Sequence, residues 1–311
     1  MTSATLAAEH SMHSTRAALA SVALALVLLV AKSWAAYATD STAMLGSLAD
    51  TALDVIASLT TLAGVRIAAR PADLDHRFGH GKAEALVALA QVVLITLSAI
   101  GIAWRAVDRL VNGAETEALG LGILVSLLAI VLTFVLLVYQ RRVIARTGSV
   151  AIKTDNVHYK SDLALNGAVI VALVLDQALH VRGADPIFGI GIAAWLMWGA
   201  WRASGEAVNQ LMDHEWPEDE RRQFLAAAGQ FPELKGLHDL RTRKSGTLRF
   251  VQFHVWVPPE WTVKEAHDRL DRVEESLQER FPGTEILIHV DPEGQIDRET
   301  LLSSDITESA G

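Results

Sequence analysis

Six apolar runs of bilayer length, followed by a charged and alternating stretch, predict an α-helical membrane protein: six transmembrane helices and then a cytoplasmic αββαβ domain. Three observations carry that prediction. The chain of 311 residues is 51% hydrophobic, but its Ala, Leu, Val, Ile and Gly crowd before about Met212. Several runs there approach the 20 or so residues that a hydrocarbon core demands. Beyond Met212 the charged residues return, and the elements shorten to the lengths of an ordinary soluble fold. The expected organisation is a transport-type membrane domain over 1–212, a soluble domain over 213–295 and a disordered tail over 296–311.

The spans fall at Thr15–Ala38, Thr42–Ala69, Ala83–Leu110, Ala118–Tyr139, Ser149–Leu179 and Pro186–Val208. The first resembles a secretory signal ending at WAAYA. It is long for such a segment, Lys32 interrupts it, and nothing clearly basic precedes it, so it reads as a retained helix. The loop after the second span carries Arg66, Arg70, Arg77 and Lys82, and the loop after the fourth carries Arg141, Arg142 and Arg146. ATDST and NGAETEA, on the other side, have acids and no bases. Basic loops face the cytoplasm, so both termini are expected there.

The soluble stretch follows in order. PEDERRQFLAAAGQ has the acidic first turn that a helix N-terminus favours. LHDLRTR and TLRFVQFHVWV alternate as strands around the break Lys244-Ser245-Gly246. Thr262 and Glu265 form a capping box ahead of AHDRLDRVEESLQERF, Pro282-Gly283 ends that helix, and TEILIHV closes the domain as a strand.

Composition excludes several chemistries. There is no cysteine, so disulfides, thiolate metal sites and thiol catalysis are absent, and any metal must use His, Asp or Glu. A net charge of −9 offers no basic face for nucleic acid. No HExxH helix motif of a zinc protease occurs.

The informative residues are polar groups inside apolar spans. LADTALDVIAS places Asp50 and Asp54 at i, i+4 in the second span, and HYKSD places His158 and Asp162 likewise in the fifth. Such pairs share a helix face. If the two helices pack face to face, three carboxylates and an imidazole converge, the ligand count of tetrahedral Zn²⁺. A lone carboxylate at mid-bilayer costs about 2.5–3.5 kcal/mol, which a divalent cation or protons would offset. The alternative is that each acid pairs with a nearby base or faces a water-filled crevice. Lys160 lies two residues from His158 and from Asp162, so it should face elsewhere, although it could pair with one of the acids. In the loop RPADLDHRFGHGKAE, Asp73, His76 and His80 offer a second ligand set, a common composition for a solvated loop as well. His238, His254, His267, His289 and Asp291 come from four separate elements of the tail, and His289 and Asp291 share a strand face.

LADTALDVIASLTTL, RPADLDHRFGHGKAEALVALAQ, HYKSD and HDLRTRKSG together resemble the cation diffusion facilitators, whose bacterial members export zinc and ferrous iron. That resemblance implies a homodimer of six-helix membrane domains joined to metallochaperone-like αββαβ domains. It puts the transport site on Asp50, Asp54, His158 and Asp162, and the loop site on Asp73, His76 and His80. It puts a binuclear cytoplasmic site on His238, His254, His267, His289 and Asp291, and a charge interlock on Lys82 and Asp213. Lys160 stands where relatives often carry a neutral polar residue. The reading that follows is a secondary transporter, not an enzyme, in a bacterial inner membrane. It would export Zn²⁺, with Cd²⁺, Fe²⁺, Co²⁺ and Mn²⁺ as further substrates, in exchange for protons taken up at His158. The alternatives are a membrane-anchored metal sensor and a transporter whose main substrate is Fe²⁺, Co²⁺ or Mn²⁺.

Overall fold

The computed structural model describes residues 3–39, 42–112, 121–179 and 184–294. His10–Leu211 forms one unit, and the residues from Met212 onward belong to a second. The tail expected over 296–311 lies outside the described residues.

The first unit is a bundle of long helices: α1 (Ser3–Thr39), α2 (Thr42–Ala68), α3 (Ala83–Asn112), α4 (Leu121–Thr147), α5 (Val150–Leu179) and α6 (Ala184–Leu211). Among the described residues, Glu9–Ala38, Asp50–Ala68, Ala83–Asp108 and Leu127–Thr147 are long and apolar enough to cross a membrane. α5 and α6, of 30 and 28 residues, are also long enough, but α5 is diluted by Lys153, Asp155, His158, Lys160 and Asp162.

Two helices outrun their expected spans by two turns or more. α1 begins at Ser3 rather than Thr15, and α4 ends at Thr147 rather than Tyr139. Hydropathy marks where the apolar region stops, whereas a helix stops where its backbone is interrupted. QRRVIART holds no Gly or Pro, so α4 continues until Gly148, whose φ of 64° and N–H bond to the Ile144 carbonyl at 2.8 Å close it. Ser149 then caps α5, its Oγ accepting from Ile152 N–H at 3.3 Å. Glu84, buried at the start of α3, receives the Ser149 hydroxyl at 2.6 Å and the N–H groups of Val150 and Ala151. A carboxylate on one helix therefore caps another. Gly64 is needed for α2 to lie close on α3, because an added Cβ would fall 2.3 Å from a Val87 methyl.

The second unit is a three-stranded sheet with helices on one face. α7 (Glu218–Ala228) leads to β1 (His238–Ser245), β2 (Leu248–Val257), α8 (Val263–Arg280) and β3 (Thr284–Pro292), in the sheet order β1-β2-β3. β1 and β2 are an antiparallel hairpin, and β2 and β3 are parallel across α8. The Thr262/Glu265 capping box is formed. Ala266, Leu270, Val273 and Leu277 make one buried stripe of α8 at helical spacing. Val251, Phe253, Val255 and Val257 present the matching face of β2, and Trp216 and Phe224 complete this core. The opposite face bears Gln252, His254 and Trp256.

Candidate metal centres

α2 and α5 bring Asp54, His158 and Asp162 together. His158 Nε2 lies 3.1 Å from Asp54 Oδ1 and 3.9 Å from Asp162 Oδ2. One ligand atom from each of the three can be chosen so that all lie within 4.8 Å, the spacing of a shared ion. The His158 side chain is only 8% exposed, and the two carboxylates are at most a quarter exposed. Oxygen and imidazole donors in a largely dry setting suit a divalent cation, and neutral imidazole with ionised carboxylates is the form that binds it.

Asp50 stands apart from these three. It is half exposed and pairs instead with Arg105 of α3 at 3.4 Å. Both residues line the cavity of about 490 Å³ that contains Asp54, His158 and Asp162. Lys32 lines it too, its ammonium donating to Thr51 at 2.7 Å. The cavity walls come from the α1–α2, α3–α4 and α5–α6 end of the bundle: Ser98, Gly101 and Arg105 on α3, and Pro186 and Gly189 on α6. An arginine within an apolar span is tolerated where it lines such a space.

The other side of the cluster is closed. Asp155, one turn before His158, is fully buried, and its carboxylate accepts from four helices. Ser21 Oγ and Gln140 Nε2 each donate at 2.7 Å, Gln91 Nε2 at 3.2 Å and Thr61 Oγ1 at 3.3 Å. Asn156 fixes the Gln140 amide at 3.0 Å. Tyr159, also buried, bonds Ser58 at 2.8 Å and donates to the Ser21 carbonyl at 3.0 Å. These four donors satisfy the acceptor capacity of a carboxyl group buried among helices.

In the α2–α3 loop, Asp73 draws His76 and His80 around it. Its Oδ1 accepts from His76 N–H at 2.7 Å and Asp75 N–H at 3.0 Å, and its Oδ2 lies 3.3 Å from His80 Nε2. The His76 N–H is the main reason that the Asp73 carboxyl is held below the usual carboxylate range. The His80 Nδ1 is buried and has no hydrogen-bond partner among the described residues.

On the face of the sheet opposite α8, three strands converge on Asp291. His254 Nδ1 is 3.0 Å from its Oδ2, His238 Nε2 is 3.5 Å from the same oxygen, and His289 Nε2 is 3.4 Å from Oδ1. The register places His238 opposite His254, and His254 opposite His289. Between His238 and Arg241 the register slips, and Asp239 adopts φ 48°. This bulge turns His238 onto the open face, and Asp239 Oδ2 then lies 3.7 Å from His254 Nε2. Carboxylate and imidazole donors gathered on a bridging-capable Asp fit one or two divalent ions. His267 does not join them: it is exposed on α8, which packs on the sheet's other face. Lys82 donates to the Leu211 carbonyl at 3.1 Å in the first unit, and Asp213 pairs with Arg243 at 3.6 Å in the second.

Sequence reasoning passed over Arg105, Asp155 and Asp239. A base within an apolar span was the available signal for Arg105, and a third acid on the His158 face was the signal for Asp155. Nothing local marks Asp239, because neighbours on a strand ordinarily face opposite ways.

An apolar helical bundle with a carboxylate–imidazole cluster inside it, followed by a small sheet with another, defines a multi-pass metal-handling membrane protein. The cation efflux transmembrane domain matches residues 18–212, and the cytoplasmic domain of cation efflux proteins matches residues 216–293, so the chain belongs to the cation diffusion facilitator family. It is 41% identical over 277 residues to the cation-efflux pump FieF of Klebsiella pneumoniae, covering 89% of this chain and 92% of that one. To FieF of Yersinia enterocolitica it is 42% identical over 283 residues, with 91% and 94% covered. The metal-bound C-terminal domain of the CzcD transporter from Thermotoga maritima matches at 26% identity and a TM-score of 0.25, covering 26% of this chain and all of that one. The chain is thus a cation-efflux membrane protein, a transporter rather than an enzyme.

Proposed function

We propose that this chain exports divalent cations, Zn²⁺ first among them, from the bacterial cytoplasm across the inner membrane in exchange for protons. Both termini are cytoplasmic in this reading, and the working form is a homodimer. One observation carries it: Asp54, His158 and Asp162 form a ligand cluster at the closed end of a cavity that opens through one half of the bundle. Asp50 is the fourth ligand, reached when its carboxylate leaves Arg105. Cd²⁺, Fe²⁺, Co²⁺ and Mn²⁺ share the oxygen ligands, whereas the imidazole favours zinc over manganese.

Protons compete for the same atoms as the metal. An imidazole ordinarily titrates nearest neutral pH, which makes His158 the natural exchange group. Each charge moved through 100 mV is worth about 2.3 kcal/mol, so electroneutral export of M²⁺ against an inside-negative potential takes about two inward protons. The loop cluster of Asp73, His76 and His80 is a capture site at the cytoplasmic end of the bundle, opposite the cavity mouth. His238, His254, His289 and Asp291 hold regulatory metal.

Zinc uptake into proteoliposomes under an imposed pH gradient tests this reading. Flux is expected in the wild type and its loss, by at least about a hundredfold, in Asp54→Ala and Asp162→Ala. Wild-type flux in both variants would remove the assigned site. Zinc binding without flux in the wild type would favour a sensor instead.

A further inference from the structure

We propose that the groove between α5 and α6 binds the headgroup of an anionic phospholipid. A cavity of about 250 Å³ lies there, away from the metal cluster, and it is lined by Lys153, Lys160 and Arg202 with a single acid, Glu206. Lys153 takes that acid at 2.6 Å. Lys160 then has no hydrogen-bond or ion-pair partner among the described residues, and it lies within electrostatic range of two further cations, Lys153 and Arg141. Among the described residues Arg202 makes only a stacking contact, its guanidinium 5.1 Å from the Trp198 ring centre. Two uncompensated cations thus share one groove, and like charges gathered this closely repel unless an anion joins them.

The position selects the anion. These residues sit in the first eleven positions of α5 and the second half of α6, at the end of the bundle that carries Gly148 and the basic connections. By the distribution of bases this is the cytoplasmic leaflet. Lys153 and Lys160 are seven residues apart, about 10 Å along the helix, so the deeper Lys160 reaches the headgroup level by extending along its stem. Trp195 and Trp198 flank the groove with partly exposed rings, as interfacial anchors do. Gly199 lets α5 approach closely, since an added Cβ would meet a Val157 methyl at 3.2 Å, and this leaves an apolar floor for an acyl chain. Phosphate oxygens meet Lys160 and Arg202, and the chain lies along the floor. Basic pockets between membrane helices on the cytoplasmic side have this chemistry in general. The departure noted at Lys160 therefore has an assignment independent of transport: its side chain serves the lipid groove and not the metal.

Native mass spectrometry of the full-length protein in detergent, with phosphatidylglycerol or phosphatidylcholine of identical chains, reads this directly. The wild type should retain phosphatidylglycerol under conditions that strip phosphatidylcholine. Lys160→Gln/Arg202→Gln should bind it at least about tenfold more weakly, the loss expected for charged hydrogen bonds, while Lys160→Arg/Arg202→Lys should keep it. Unchanged thermal melting of the Gln variant separates lost binding from lost folding. Three results would each overturn the assignment. They are equal retention of both lipids by the wild type, displacement by millimolar inorganic phosphate, and a change of oligomeric state in the Gln variant with no change in lipid, which would mean that a second copy covers the groove. Zinc flux plays no part in these readouts, so they stand or fall apart from the transport proposal.

Discussion

The pairing of Asp50 with Arg105 changes how a four-ligand site must work. In the proposed four-ligand site a tethered guanidinium holds the Asp50 carboxylate while Asp54, His158 and Asp162 wait together, so an incoming cation would displace an internal one. Both partners are more than half exposed to the cavity, which keeps the pair's worth below about 1 kcal/mol. Arg105→Gln is therefore expected to lower the KM for zinc by about two- to fivefold, and the shift should vanish when Asp50→Asn is also present. An equal shift in both backgrounds would mean that Arg105 acts through the general field of the cavity and not through Asp50. At this scale much of the site was legible. Asp54, His158 and Asp162 announced themselves because a charge in an apolar span needs a reason, and the i, i+4 rule gave their faces. The partner of Asp50 was not legible, because helical periodicity says which residues share a face but not which foreign helix faces them.

Among the elements, α5 bears both the metal cluster and the restraints on it. Its first N–H groups are satisfied by Ser149 from its own chain start and by Glu84 from α3, so the start of α5 is anchored to its neighbour. Glu84→Ala leaves Val150 and Ala151 N–H unpaired at a buried helix end, a cost of about 1–2 kcal/mol. Hydrogen exchange in the first turn of α5 should accelerate about 5- to 30-fold, and less in Glu84→Gln, which keeps an acceptor oxygen. Unchanged exchange in the Ala variant would show that Ser149 suffices. The same helix explains what sequence reading resolves. The Thr262/Glu265 box was readable because every atom of it is local. The end of α4 was misplaced because hydropathy reports the apolar boundary and Gly148 sets the helical one. The bulge at Asp239 depends on the register of two strands, which no single stretch encodes.

At the scale of the whole membrane unit, the ligand cluster separates an open half from a closed one. Ser98, Gly101 and Arg105 line the open side, whereas the closed side is knotted at Asp155 by Ser21, Thr61, Gln91 and Gln140 of four different helices. Access from the closed side requires these helices to part, and leaving a buried carboxyl group without its partners costs about 1–3 kcal/mol. Alternation between sides then needs something that compensates for that loss, and metal or proton occupancy of the adjoining His158 and Asp162 is the nearest source. The absence of cysteine makes the asymmetry measurable, because any thiol introduced is the only one in the chain. In metal-free protein, Ser98→Cys on the cavity wall should react readily with a charged thiol reagent. Ala17→Cys, fully buried one turn from Ser21 on the closed side, should react more than about a hundredfold more slowly. Adding Asp155→Asn, which replaces the acceptor-only carboxylate with a group that carries donors, should narrow that gap by opening the closed side. Equal labelling of the two thiols in the parent background would mean that the four-helix knot is no barrier, and gating would have to be sought elsewhere in the bundle.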